Sequence, residues 1–563
     1  MLTSQTENLL ARVIAIGSGF TTVFIVSGSV SDPVNAPKLL SLGIFSSLAV
    51  GFLVTGGKRI VLESRWLWIV SLVFLTASFS SVLKSQSPLT QNLYGSYGRN
   101  NGFVTYLFLA LILLATASLT RINSLKKIVN ALFIAGIINV IYCLWVITFG
   151  DFVAWNNPYG NILGTLGNPN FIGAFLGIFV AAYLGYGLGS NTPRWFKYSM
   201  VVVLPISAFE IYDSHAIQGR VVGLGGIAIV GFVYLRSKYN KVILIAYSAV
   251  CAVVGTLGVL GALQVGPLTS VIYKTSVSLR GQYWLAGWNT GQESPLSGVG
   301  MDSFGDWYRR ARDSHALELP GVNTVVNAAH NVPIDMFAFG GWPLFLSYLA
   351  IMALGGWALL KSVRRSKKYE PILVVIATAW IGYQVQSIIS INQIGLAIWG
   401  WVLTGAAISY EKITRSDLAA PQNIGKTKIT KDFENQNLKA LMLSTFCGII
   451  GLLVALPPLT ADSKWRSAQV SGNVQILEES MKSSYFNPHN TMKYMTNIQA
   501  LEQNNFQELA HKYALQATKW NPQSFELWKV LFLISSSTPQ EKELALKNMR
   551  KLDPLNPDVT SRT

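Results

Sequence analysis

The stretch "NAAHNVPIDMFAFGG", Asn327 to Gly341, sets a histidine and an asparagine directly in front of an apolar run that continues to about residue 360. Such a run is long enough for a membrane helix, which needs about 20 mostly apolar residues to cross the hydrocarbon core. His330 therefore stands where the chain enters a bilayer. Composition agrees, because 51% hydrophobic and 13% charged residues over 563 positions exceed what one soluble core needs. The net charge of +17 sits in short clusters between apolar runs, so it reports topology rather than nucleic-acid binding. Cys143, Cys251 and Cys447 lie inside apolar runs without a CxxC or histidine partner, which indicates neither a disulfide framework nor a metal site. No feature calls for a metal or another cofactor. The first apolar run, about Val13 to Val30, lacks a convincing cleavage site after it and is expected to remain as a span.

Working outward from residue 332, the apolar runs near 13–30, 39–56, 66–83, 103–120, 128–149 and 170–188 read as spans. Further runs lie near 197–212, 221–235, 242–263, 332–360, 371–389, 393–410 and 440–458. The expected fold is all-α, a polytopic membrane protein with about 12 to 13 transmembrane helices plus a small C-terminal soluble helical domain. With a cytoplasmic N-terminus, the inside loops, including "KSVRRSKK" and the basic linker 411–439, hold 22 basic residues. The outside loops hold nine: Lys38, Lys84, Arg99, Arg220, Lys274, Arg280, Arg309, Arg310 and Arg312. Cytoplasmic loops carry the excess of Lys and Arg, so this orientation is the expected one.

Beyond the last span the chain turns polar. We expect residues 1–460 to form the membrane part, with a long outer loop at about 264–331, and 461–563 an extracytoplasmic domain. In the latter, "FNP" (Pro488), "WNP" (Pro522) and "LDP" (Pro554) recur at 34 and 32 residues, a spacing similar to that of tetratricopeptide arrays, which present a surface to protein partners. An ordinary helical domain is the other reading of the same spacing.

Every unusual polar cluster of the membrane part falls on the outer side. These are "LYGSYGRNNGF" with Arg99, "GTLGNPNFIGAF" with Asn168 and Asn170, "DSHAIQGRVVG" with Arg220, and the loop holding Arg280, Trp284, His330 and Asn331. Each has a plain structural explanation as well. Arg99 can snorkel to headgroups, Asn168 and Asn170 can cap a helix, and Arg220 can anchor a span. Arg280, with Tyr283, Trp284 and Trp288, can lie on an interfacial helix, and His330 can end a helix. Read together, outer guanidinium forks suit a diphosphate, which they bind bidentately and help to leave. An imidazole is suited to take a proton from an incoming nucleophile near neutral pH.

At these same residues the chain resembles the bacterial O-antigen ligase and polymerase superfamily, which includes related O-linked oligosaccharyltransferases. The resemblance is carried by "GTLGNPNFIGAFL", "QGRVVGLG", "RGQYWLAGWNTGQESPLSGVGMDSF" and "HNVPIDMFAFGGW". It implies a metal-independent glycosyltransferase of the bacterial cytoplasmic membrane, using an undecaprenyl-diphosphate-linked glycan outside that membrane. It implies that Arg280 and Arg220 contact the diphosphate, with Arg99 as a further contact, and that His330 is the base. Asn168, Asn170, Asn331 and Trp284 would support them. "SHAIQGR" departs from the family's more usual Ser-Arg-Gly arrangement. The acceptor stays open between a glycolipid or surface polymer, a growing repeat-unit polymer, and Ser or Thr of a protein, with the first ranked ahead. Two readings from other classes are a transporter lined by Gln384, Gln386, Ser387 and Ser390, and a scaffold tethering the outer domain. The transporter reading lacks acidic or lysine residues deep in the apolar runs.

Overall fold

The computed structural model describes residues 2–155, 157–416 and 431–561; positions 417–430 of the basic linker lie outside the described residues. Within these the chain is all-helical, and one antiparallel bridge joins Ser484 to Asn487. Each of the apolar runs falls on a helix. We label these α1 (Ser4–Val23), α2 (Asn35–Val54), α3 (Arg65–Lys84), α4 (Phe103–Ala117), α5 (Ile122–Phe149), α6 (Pro169–Gly187), α7 (Arg194–Asp213), α8 (Ile217–Lys238) and α9 (Lys241–Ala262). Two helices of the long loop follow, α10 (Thr275–Glu293) and α11 (Phe304–Ala311), and then α12 (Val332–Arg365), α13 (Pro371–Ile389), α14 (Ile394–Ser416) and α15 (Lys431–Ala455).

Among the described residues, nine helices are long and apolar enough to cross a membrane. The other four runs fall short for visible reasons. Helix α4 has 15 residues, α1 carries Glu7 and Arg12, α7 carries Glu210 beside Pro205, and α14 mixes Gly and Trp into its run and ends on charge. All four still contribute to the hydrophobic cluster that the spans build. Helix α1 starts earlier than its apolar run because Thr3 caps it, accepting from the Thr6 N–H at 3.1 Å. Its buried Glu7 is satisfied by the Thr120 N–H and hydroxyl and by the Ser124 hydroxyl.

Small residues let helices approach closely, the usual device where lipid supplies no hydrophobic drive. Gly173, Gly177 and Ala181 of α6 face Gly219, Gly223 and Gly226 of α8, which runs parallel to it. This seam fixes the start of α8, and Arg220 with it, beside the first turns of α6.

The loops before α2, α4, α6, α8, α12 and α14 share one end of the bundle, hereafter the loop end. Lys38 is not a surface loop charge there. Its buried ammonium donates to the carbonyls of Thr21, Thr22 and Phe24 at 3.2, 2.6 and 3.0 Å, closing the C-terminus of α1.

From α15 the chain passes into α16 (Pro457–Ser471), which runs across residue 461, and then into α17 (Thr491–Gln503), α18 (Gln507–Trp520), α19 (Phe525–Leu533) and α20 (Pro539–Leu552). Helices α17 to α20 share a hydrophobic cluster of their own. Pro488 and Pro522 stand shortly before α17 and α19. This helical part rests on the loop end: Asp462 of α16 accepts from the Ser31 and Asp32 N–H groups and the Tyr97 hydroxyl, at 2.9, 2.8 and 3.0 Å. Asp553 receives Arg309 and Arg312 of the long loop at 2.9 and 2.7 Å.

Candidate active site

The two sequence motifs that carry the resemblance most specifically interlock. Helix α12 is interrupted at Gly340 and Gly341, the latter at φ +64°. The segment after α10 fills the gap: Val299 N–H donates to Ala338 O at 3.0 Å, Gly300 N–H to Phe339 O at 3.1 Å, and Trp342 N–H to Pro295 O at 2.8 Å. Backbone groups freed by the break are thus paired inside protein, as non-helical backbone at membrane depth requires. A Cβ on Gly298 would collide with the Phe339 carbonyl, and one on Gly341 with the Pro295 carbonyl. Gly298 of "SGVG" and Gly341 of "FGGW" are needed for this close approach. Helix α10 accordingly packs on the start of α12, Gly287 against Ile334 and Gly291 against Phe337, rather than lying free on the bilayer.

This anchoring presents His330 just before the helix. The residue adopts φ +57°, and its neighbours hold it on both sides. Asn331 caps α12 by accepting from Ile334 N–H at 3.1 Å, and Asp335 accepts from Ala329 N–H at 2.7 Å. The imidazole sits against Tyr283 with ring centroids 5.1 Å apart, and Trp284 Nε1 lies 3.5 Å from the His330 carbonyl. His330 Nδ1 is 3.1 Å from Ala328 O, a partner that can only accept. The neutral ring therefore carries its proton on Nδ1 and offers Nε2 as an acceptor. Burial first, and then the charges of Arg99 and Arg280, pull the imidazole down to about 4, so it is unprotonated at neutral pH.

Arg99 rides on the glycine-rich loop before α4. Asp302 shapes that loop, accepting from Ser96 N–H at 2.8 Å and Asn101 N–H at 3.3 Å, while Ser96 Oγ donates to the Asp302 carbonyl at 2.9 Å. Burial raises the Asp302 carboxyl to about 7 against the pull of these N–H groups and of Arg99. Arg99 Nη1 is enclosed and has no hydrogen-bond partner among the described residues. Arg280 is held by the end of α13, donating from Nε to Ile389 O at 2.7 Å and from Nη1 to Ser276 O at 2.9 Å. Burial lowers both guanidinium groups from their ordinary value, yet neither has a carboxylate at ion-pair distance among the described residues. A desolvated cation in that condition favours an anion beside it.

Of the residues expected from sequence, Arg99, Arg280, His330 and Trp284 come together. Arg220 stands apart, stacked 5.1 Å over Tyr212 with Nη2 3.5 Å from the Tyr212 carbonyl, and it is not among the charges acting on His330. Its Nε is enclosed and without a partner among the described residues. Asn168 is a helix cap, accepting from Asn170 N–H at 2.9 Å, and Asn331 is another. Asn170 lies in the first turn of α6. Sequence reasoning missed Asp302 and Asp335 as braces of the two loops. Both stand inside quoted motifs, and a carboxylate beside a glycine-rich or pre-helical loop was the available signal.

Residues 206–349 match the family model for O-antigen ligase, a segment running from within α7 past the break in α12. It includes Arg220, Arg280 and His330 and leaves out Arg99. The comparison with curated proteins yields no match.

Proposed function

From the match of residues 206–349 to the O-antigen ligase family model, we propose that the protein transfers a glycan from undecaprenyl diphosphate to a hydroxyl of a lipid or surface-polymer acceptor, without a metal cofactor. The reaction runs at the loop end, on the outer side of a bacterial cytoplasmic membrane. That orientation rests on the count of 22 basic residues in the opposite loops against nine in these. Residues 1–460 are the transferase and 461–563 an outer helical domain.

One observation carries the reading: an imidazole with Nδ1 committed to Ala328 and Nε2 open, flanked by two arginines that lack a counter-ion. The acceptor hydroxyl gives its proton to His330 Nε2 as its oxygen attacks the anomeric carbon. The bond from that carbon to the diphosphate breaks, and the lipid diphosphate leaves with the electron pair, stabilised by Arg99 and Arg280. Arg220, in the matched segment but on the α6–α8 seam, meets the donor farther along. An arriving diphosphate offsets the two cations that hold the imidazole down, so donor binding makes His330 a stronger base.

The test supplies a labelled undecaprenyl-diphosphate glycan and an acceptor extract to purified, EDTA-treated protein and follows release of lipid diphosphate. Wild type is expected to release it, and His330→Ala to fold normally and lose about 10²-fold or more. Undiminished release by His330→Ala returns the histidine to a helix-end role, and activity restored only by a divalent ion contradicts the metal-free chemistry.

A further inference from the structure

Between the C-terminal helices and the loops bearing Arg99 and His330 lies a cavity of about 390 Å³, in the size range of small-molecule sites. Tyr97, Asn323, Asn327, His489, Thr491 and Trp520 line it. Tyr97 is two residues from Arg99, and Asn327 three from His330, so the two loops that carry the candidate site residues also supply part of this wall. Its charged groups already have partners. Arg309 pairs with Glu526 at 2.7 Å and Asp553 at 2.9 Å, while Asp306 accepts from Gln91 and Asn521 at 3.0 Å each.

Several of the remaining polar groups are neutral and free to meet a ligand. Among the described residues, the enclosed His489 Nδ1 has no hydrogen-bond partner, and the Asn323 and Asn327 amides and the Thr491 hydroxyl stand at the water-accessible part of the wall. Burial first, and then Lys493, draws the His489 imidazole down to about 4, leaving it uncharged. Trp520 and Tyr97 add aromatic faces. Uncharged donors and acceptors beside aromatic rings suit a ligand rich in hydroxyl groups. They do not suit an anion, which would meet the Asp306 carboxylate, held only by the neutral amides of Gln91 and Asn521, nor a hydrophobic segment, which would cover the amides without pairing them.

We propose that this cavity binds a neutral saccharide segment of one of the two transferase substrates, the donor glycan or the acceptor. The assignment rests on the transferase reading. It makes the C-terminal helices one wall of the substrate path.

The experiment uses the full chain in native membranes, with a benzophenone-bearing residue in place of Asn323 and, as a control, in place of the exposed Gln475. After irradiation the adducts are identified by mass. A saccharide adduct at position 323 and none at 475 is expected; one carrying polyprenyl diphosphate names the donor, and one without it the acceptor. The double variant Asn327→Leu/Thr491→Val is expected to raise KM about tenfold for that substrate alone. A lipid, peptide or absent adduct at 323, or equal saccharide labelling at 475, overturns the proposal. Lipid diphosphate release with no saccharide at 323 removes this assignment and leaves the transfer reaction intact. A saccharide adduct in a protein that releases no lipid diphosphate does the reverse.

Discussion

Two pairs of arginines at the loop end have opposite surroundings. At the joint with the C-terminal helices, Arg309 and Arg312, 3% and 0% exposed, close on the fully buried Asp553, with Glu526 as a second acid for Arg309. In the candidate active site, Arg99 and Arg280 are drawn from water but meet carbonyls or nothing. Asp302 and Asp335 act on Arg99 from a distance while spending oxygens on backbone N–H groups. The first pair is complete and fastens two parts of the chain. The second is left short of negative charge, which is what a site for a diphosphate requires.

Breaking the complete pair has the largest expected effect. Asp553→Ala leaves the buried Arg312 without a carboxylate and Arg309 with Glu526 alone, and is expected to lower the stability of the joint by about 3–5 kcal/mol, measured as an earlier thermal unfolding step. A stability change near zero would mean that the joint is not held by these ions. Next in size is the cap that holds His330 in place. Asn331→Ala is expected to cost about 1 kcal/mol, read from the same unfolding curves, while Asn331→Asp retains most of it.

The smallest effect sharpens the electrostatic side of the comparison. Because burial and two cations lower the His330 imidazole, the acid limb of kcat/KM is expected well below pH 6.5, near the free-protein value of about 4. Activity is then lost as pH falls through that window and His330 becomes charged. Removing a repelling cation makes protonation easier, so Arg99→Gln should move the limb to higher pH. A limb that stayed in place would show that Arg99 does not act on the imidazole.

The spans were legible because a bilayer imposes one length and one polarity on each helix, and even the break at "SINQ" between α13 and α14 is visible as a polar interruption. His330 and Arg280 were legible as polar residues at the edge of apolar runs. Pairings across long sequence separation were not. The Asp302 brace on the Arg99 loop joins residues 206 apart, and Arg312 meets Asp553 across 241. Lys38 shows the same limit: its position near a helix start reads as a loop charge, whereas only the fold brings the end of α1 to its ammonium. Arg220 has a register that sequence could not supply, because the α6–α8 seam of small residues sets it.

The central claim is that Arg99 and Arg280 await an anion whereas Arg309 and Arg312 do not. Its most direct test is the affinity of a short-chain polyprenyl diphosphate, with the matching polyprenol as control, for the full protein in nanodiscs. Arg280→Lys keeps the charge and loses the fork, and it is expected to weaken diphosphate binding about tenfold without changing polyprenol binding, whereas Arg312→Lys leaves diphosphate affinity unchanged. Equal diphosphate affinity in wild type and Arg280→Lys, or an equal loss in Arg312→Lys, would contradict the account.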